Sequence, residues 1–369
     1  MTHFTLTKNW ERSLRSNYTL ELRDETDTLL SSCGLQKIKT AFGDTFVDTL
    51  CFGGVATPLQ HRRKGYVREL FSYAWQWGIE NGATVSLLHP FSFSYYRKFG
   101  YEKVADHKIV RCPISAIDFV PRESNLVKFD RSEAQWEQLY RLHNTFCQGR
   151  LLMMLRCDEE YFAGKEIYLF YEGDTPTGYI AFTVSQRLAI NHYEDRHMTV
   201  HEIVYTTPQA LKAVFGFIRM LEGEMDTVEF ANVAMCPEVE MQLRHYMHTD
   251  YRLLPDLMAR VLNTEAMLQA HRYPEKEGAF RIRVEDSLPT VAGSFLVEYG
   301  GGQGIVKKLP DEAAVDMTVD APAFARLLYG YDAVTPQQAA YADGISIDGC
   351  ADDFFRAFGC RPAGMFEHF

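Results

Sequence analysis

Phe52-Gly53-Gly54-Val55-Ala56-Thr57-Pro58-Leu59-Gln60-His61-Arg62-Arg63-Lys64-Gly65-Tyr66-Val67 joins an apolar strand to a helix through a basic, glycine-bearing turn. The helix is marked by Val67, Leu70, Phe71, Ala74, Trp75, Gly78 and Ile79, which recur at i, i+3, i+4, i+7, i+8, i+11 and i+12. The first N–H groups of a helix have no partner inside it, and its dipole is positive there. Arg62, Arg63 and Lys64 add charge, and Gly65 lets a ligand approach the main chain. Alone, the Arg-Arg-Lys triplet reads as a solvated charge cluster. Set between a strand and a helix, it reads as a cradle for pyrophosphate.

Before this stretch, residues 19–24 and 29–42 read as strands around the polar Asp24-Glu25-Thr26-Asp27 turn, and residues 45–55 as a third. Only residues 1–18 precede them, enough for one short helix at 10–16. After the helix, Asn81-Gly82 is a stop and residues 84–88 are a further strand. This alternation describes a mixed α/β sheet with a crossover helix on one face.

A second unit repeats the order. It comprises a helix at 132–146, a hairpin of 166–172 and 178–184, a strand at 198–205 and a helix at 209–221 opened by Thr206-Thr207-Pro208. A strand at 227–233 and a helix at 237–246 complete it. Val204-Tyr205-Thr206-Thr207-Pro208 echoes Gly54-Val55-Ala56-Thr57-Pro58, but no Arg-Arg-x-Gly follows. The expectation is an internal duplication in which only the first copy binds pyrophosphate. From residue 263 the pattern becomes a small α+β unit. It has helices at 264–271, 321–329 and 335–342, a strand at 280–286, a strand pair around 298–305, and alternation at 314–319.

The chain has 369 residues, 46 % hydrophobic and 24 % charged, with 38 Lys plus Arg against 49 Asp plus Glu. The net charge of −11 disfavours nucleic acid and anionic membranes and favours cationic ligands, or it simply serves solubility. No run approaches the ~18 apolar residues that span a bilayer. The eight cysteines, including Cys360, form no CxxC pair, so reduced thiols in a cytoplasm and no metal site are expected.

Downstream of the turn lies Pro90-Phe91-Ser92-Phe93-Ser94-Tyr95-Tyr96-Arg97-Lys98-Phe99-Gly100-Tyr101-Glu102. Arg62-x-x-Gly65 with Tyr96-x-x-x-Gly100-Tyr101 resembles the acetyl-CoA site of the GNAT acyltransferases. Val67 stands where that family uses Gly or Ala. The chain as a whole resembles the Eis-like (enhanced intracellular survival) branch. There a GNAT domain (here 1–125, opening elements shortened) precedes a degenerate second GNAT domain (126–262) and a sterol carrier protein type 2-like domain (263–369).

The resemblance implies an acetyl-CoA-dependent N-acetyltransferase for a cationic, aminoglycoside- or polyamine-like amine. Val55, Thr57, Arg62, Arg63, Lys64, Gly65, Tyr66 and Val67 would hold the cofactor. Tyr96 would be the general acid, with Tyr95 and Tyr101 as packing. The carboxylate of Phe369, in the apolar end Ala363-Gly364-Met365-Phe366-Glu367-His368-Phe369, would be the base. His89 and Glu367 would meet the amine, and the enzyme would be a homo-oligomer, a hexamer by resemblance. Met153-Met154-Leu155, Phe91 and Phe93 read as core or pocket wall. Two rivals are a non-catalytic lipid-binding protein using the last domain, and a protein-lysine acetyltransferase.

Overall fold

The computed structural model describes residues 2–157, 159–189, 192–331, 335–339, 341–359, 361–367 and 369. Ala340, Cys360 and His368 lie outside the described residues. The chain divides into two compact units. One holds residues up to 105, residues 255–363 and residue 369; the other holds residues 106–254 and 364–368.

The first unit opens with four antiparallel strands, β1 (His3–Arg12), β2 (Arg15–Arg23), β3 (Leu29–Gly43) and β4 (Thr45–Ala56). The short helix expected at residues 10–16 is therefore incorrect. Phe4, Thr5, Leu6 and Thr7 alternate as a strand, and Trp10, Glu11 and Arg12 pair with Asn17, Ser16 and Arg15. The hairpin gains a ladder and packs Phe4 and Leu6 on the core, with Phe4 stacked 4.3 Å from Tyr73. These contacts override the weak local helix preference of a seven-residue segment.

Helix α1 (Tyr66–Glu80) then crosses to β5 (Val85–Leu88), which runs parallel to β4. α1 buries Leu70, Phe71, Ala74, Trp75 and Gly78, the stripe that its sequence spacing describes. Helix α2 (Phe93–Arg97) leads to β6 (Glu102–Pro113).

The second unit repeats this scheme. β7 (Val127–Lys128), α3 (Glu133–Phe146), β8 (Arg150–Met154) and β9 (Glu166–Glu172) precede the antiparallel pair β10 (Thr175–Ala189) and β11 (His192–Tyr205). Helix α4 (Pro208–Met220) crosses to β12 (Thr227–Phe230), parallel to β11, and α5 (Pro237–Gln242) follows. Both copies carry a register shift in the strand before the crossover helix, between Gly53 and Ala56 in β4 and between Val200 and Glu202 in β11. Met153 and Met154, on the unexpected strand β8, are buried.

The rest of the first unit begins on β13 (Asp250–Val261), whose residues 258–261 pair antiparallel with β5. After α6 (Thr264–Ala270) come β14 (Gly278–Glu285), β15 (Gly293–Gly300), β16 (Gln303–Leu309), β17 (Met317–Asp320), α7 (Ala321–Leu328), α8 (Pro336–Ala339), β18 (Ile345–Ile347) and α9 (Asp352–Ala357). The strands form a sheet ordered β16-β15-β14-β17-β18. Its core is aromatic, with Phe280 5.1 Å from Phe354 and 5.9 Å from Phe358. Among the described residues, no helix is long and apolar enough to cross a membrane.

The second unit buries a charge network. Arg156 donates to both oxygens of Glu202 and to Glu367, Tyr179 donates to Glu202, and His143 Nδ1 lies 2.8 Å from Glu202 Oε1. His143 Nε2 faces the Met154 carbonyl at 3.0 Å. Both ring nitrogens thus meet acceptors, so both carry protons. Burial and Arg156 push the His143 pKa down, but the Cys147 and Glu202 contacts outweigh them and lift it to about 10. Burial alone would raise the Glu202 carboxyl, yet Arg156 and His143 bring it down to about 2.

Removing one partner strands buried charge, so Glu202→Gln is expected to lose about 3–5 kcal/mol in urea unfolding at pH 7. With the folded pKa of Glu202 depressed, its contribution is present above about 4.5 and is lost as the pH falls toward 2. A loss under ~1 kcal/mol, the scale of a surface pair, would show that the network does not stabilise the unit.

Candidate active site

The cofactor turn is built mostly from main chain. Leu59–His61 makes a single 3-10 turn, and Gly65 precedes α1 in the left-handed region at φ 91°. No side chain caps α1. The Tyr66 and Val67 amides are therefore open, with the positive end of the dipole behind them, while Arg68 N–H donates to the Gly65 carbonyl at 2.8 Å. Arg63 holds φ 62°, a costly conformation of the kind that gathers at ligand clamps. Arg62 braces the turn, its Nε donating to the Thr57 carbonyl at 3.1 Å, while the Thr57 and Ser31 hydroxyls meet at 2.9 Å.

A cavity of about 670 Å³ opens over this turn, and Val55, Thr57, Arg62, Arg63, Lys64, Gly65, Tyr66 and Val67 all line it. His61, Arg68, Phe91, Tyr95 and Phe99 complete the wall. His61 Nδ1 is buried with no hydrogen-bond partner among the described residues. Open amides, exposed cations, an orphaned ring nitrogen and an apolar wall together fit a ligand with an anionic head and a slender apolar arm.

Helix α2 is opened by Ser92, whose Oγ accepts from the Tyr95 N–H at 3.4 Å. Tyr96 is only 4 % exposed, stacked 6.3 Å from Phe71 and edge-on to Phe91 at 5.2 Å. Burial, reinforced by Tyr95, pushes its phenol up to about 12, so it stays protonated at neutral pH. Its neighbour Tyr95, not Tyr96, lines the cavity, and Phe91 lines it while 75 % exposed. Tyr101 is fully buried, its hydroxyl 2.6 Å from Ser86 Oγ and accepting from Trp75 Nε1 at 3.1 Å.

The last rung of the parallel β4–β5 ladder is Phe52 opposite Leu88. Beyond it β4 continues through Gly53 and the bulge, whereas β5 ends and His89 follows. Phe369 lies here. A Cβ placed on Gly53 would stand 3.3 Å from the Phe369 carboxyl oxygen, so only glycine permits this approach without displacement. The Phe369 ring is 4.8 Å from the His89 ring, and His89 Nδ1 is 3.0 Å from Asp256 Oδ1. One place thus holds a histidine, a buried aspartate and the main-chain oxygen of Phe369 beside a bulged strand.

Residues 2–104 and residues 128–261 each match the family model described as an acetyltransferase (GNAT) domain, and residues 264–363 match a sterol carrier protein domain. The two GNAT matches together span well over half of the chain. The chain belongs to the GNAT acetyltransferases. Its fold and domain order are Eis-like. Eis1 from Mycobacterium abscessus superposes with a TM-score of 0.81 over 100 % of both chains at 15 % identity. A GCN5-related N-acetyltransferase from Anabaena variabilis gives 0.80 at 19 % identity, covering 95 % of this chain and 89 % of that one. A GCN5-related N-acetyltransferase from Kribbella flavida gives 0.76 at 18 % identity, covering 95 % and 87 %. No curated protein matches the chain.

GNAT domains use acetyl-CoA as cosubstrate, and the cradle in this GNAT chain has the composition that a pyrophosphate needs. Glu367, expected to meet the amine, belongs to the second unit. It is 6 % exposed and ion-paired to Arg156 in the second unit. Arg156 holds its Oε1, while Oε2 is buried with no hydrogen-bond partner among the described residues. Ala56, His61, Arg68, Phe99 and Asp256 escaped the sequence reading. His61 and Arg68 flank the recognised motif and could have been included with it. Asp256 meets His89 from far along the chain, and no local pattern announces that contact.

Arg63→Glu combined with Gly65→Asp is expected to abolish acetyl-CoA binding in calorimetry while circular dichroism shows an intact fold. Unchanged affinity would remove the turn from the cofactor site.

Proposed function

We propose that this GNAT acetyltransferase transfers an acetyl group directly to a cationic, amine-bearing small molecule of aminoglycoside or polyamine type. The observation that carries the reading is the Phe369 carboxyl group at the parting of β4 and β5, beside His89 and Asp256. Two carboxyl groups around one imidazole make a locally anionic place, suited to an ammonium.

The exposed charges of Arg63 and Lys64 and the open amides of α1 would hold the anionic end of the cofactor. Acetyl-CoA bound there supplies an acyl thioester. Main-chain amides near the bulge, at Val55 and Thr57, would hold the acyl-bearing arm and stabilise its oxygen. The Phe369 carboxylate takes the proton that an ammonium must lose before it attacks. Tyr96, whose phenol keeps its proton at neutral pH, gives that proton to the departing sulfur. Proton loss at one end and gain at the other balance the exchange of a C–S for a C–N bond.

A lipid-carrying role for the last domain is less well supported. A cavity of about 610 Å³ there is lined by Arg283, Glu285, Asp286, Lys308 and Asp311, which suit a polar occupant.

Tyr96→Phe keeps the ring and removes the proton, so turnover should fall roughly 10²–10⁴-fold. A change below about threefold, far short of that scale, would reduce Tyr96 to packing. Deleting Phe369 shifts the carboxylate by up to ~3.5 Å along the chain, and a misplacement of ~1 Å can cost ~10²-fold. A carboxy-terminal tag should therefore silence the enzyme and an amino-terminal tag should not. Full turnover with the terminus extended would place the base elsewhere.

A further inference from the structure

Arg260 lies on β13 opposite Ser86 of β5, and its side chain is almost wholly buried. Its Nη1 donates to the Phe99 carbonyl at 2.7 Å and its Nη2 to Asp286 Oδ1 at 2.7 Å. Its guanidinium carbon stands 4.5 Å from the centre of the Trp75 ring. Asp286 is fixed in turn by the Leu288 N–H at 2.7 Å. Gly100 sits at φ 80°, and a Cβ there would overlap the guanidinium. The glycine of the Tyr-x-x-x-Gly-Tyr element is thus also the seat of a cation.

The same turn holds Tyr96. The Phe99 and Tyr101 N–H groups both donate to the Tyr96 carbonyl, at 2.9 and 3.3 Å. Tyr101 is anchored by Ser86 and by the Trp75 that the guanidinium covers. We propose that Arg260 is a positioning residue for Tyr96: clamped by Asp286, it fixes the turn Phe99-Gly100-Tyr101, whose amides set the place of the phenol. This rests on Tyr96 being the acid.

Stability alone does not account for the arrangement. Desolvation largely offsets the attraction of a lone buried ion pair, and Arg260 Nε has no hydrogen-bond partner among the described residues, which adds to the cost. What an apolar side chain of equal volume could not supply is the planar fork that fixes a carbonyl and a carboxylate at once.

Arg260→Met preserves volume and removes the fork. At saturating substrates kcat is expected to fall about 10²-fold, the scale of a ~1 Å misplacement, with the KM for acetyl-CoA changed less than about threefold. Arg260→Lys should recover part of the loss. Tyr96→Phe and the double variant complete a cycle in which the double variant is no slower than Tyr96→Phe alone. Rates are taken per folded enzyme from near-UV circular dichroism. A wild-type kcat in Arg260→Met beside a slow Tyr96→Phe overturns the clamp and leaves Tyr96 as the acid. A full-speed Tyr96→Phe overturns the acid assignment and the clamp with it. Losses that multiply in the double variant also overturn the clamp, because Arg260 then acts elsewhere. If Arg260→Met does not fold, Asp286→Asn weakens the same clamp and retains an acceptor oxygen. A wild-type kcat in that variant overturns the proposal, and a loss that vanishes in the Tyr96→Phe background supports it.

Discussion

Hydrogen bonding between β4 and β5 runs through four rungs and stops at Phe52 and Leu88. A parallel ladder satisfies the main chain on both sides, and ending it inside a sheet leaves polar groups that need other partners. The bulge in β4 interrupts its pairing with β3 between Gly53 and Ala56, where pairing resumes opposite Ser32. Every chemically notable group of the first unit gathers around this interruption. Gly53, His89 and the Phe369 carboxyl lie at its mouth, and the cradle before α1 lies one turn beyond the strand's end. Neither a continuous ladder nor an unbulged strand would leave amides free for a substrate.

The surroundings keep that opening from collapsing. Trp75 and Phe71 of α1 pack under Tyr96 and Tyr101, and Arg260 and Asp286 close the far side of the turn. The buried Arg260 and Tyr101 are tied to fixed partners. The cations of the cofactor turn, by contrast, are exposed. The difference follows from solvation. A cation left in water loses little on meeting an anion and remains ready to do so, whereas a buried one must be compensated permanently.

Local periodicity made α1 and its buried stripe legible, and the spacing of Arg62, Gly65, Tyr96, Gly100 and Tyr101 announced the family, because both signals lie within short stretches. The opening hairpin was hidden for the opposite reason. Residues 10–16 become a strand only because residues 15–23 and the Phe4–Tyr73 contact select that state. Strand β8 and the full length of β13 were likewise invisible without their neighbours. Nothing in the sequence around Glu367 reveals its pairing with Arg156. Spacing singled out Tyr96, but the orientation of α2, which turns Tyr95 rather than Tyr96 toward the cavity, is a property of packing.

The two GNAT copies show how little sequence separates a cofactor site from its remnant. Both have a bulged strand feeding a crossover helix and a parallel strand returning beside it. In the first copy, five exposed residues or more intervene before α1, and no side chain caps the helix. In the second, Thr207 Oγ1 takes the Ala210 N–H at 3.0 Å, and Pro208 at the start of α4 has no N–H to offer. Capping stabilises a helix end by satisfying the same donors that an anion would use. At the second junction the Ala210 amide is taken by a side chain and position 208 has no N–H, so fewer donors are on offer there. The two junctions thus differ at the helix start, in basic residues and in a side-chain cap, while the duplicated sheet and helix are shared.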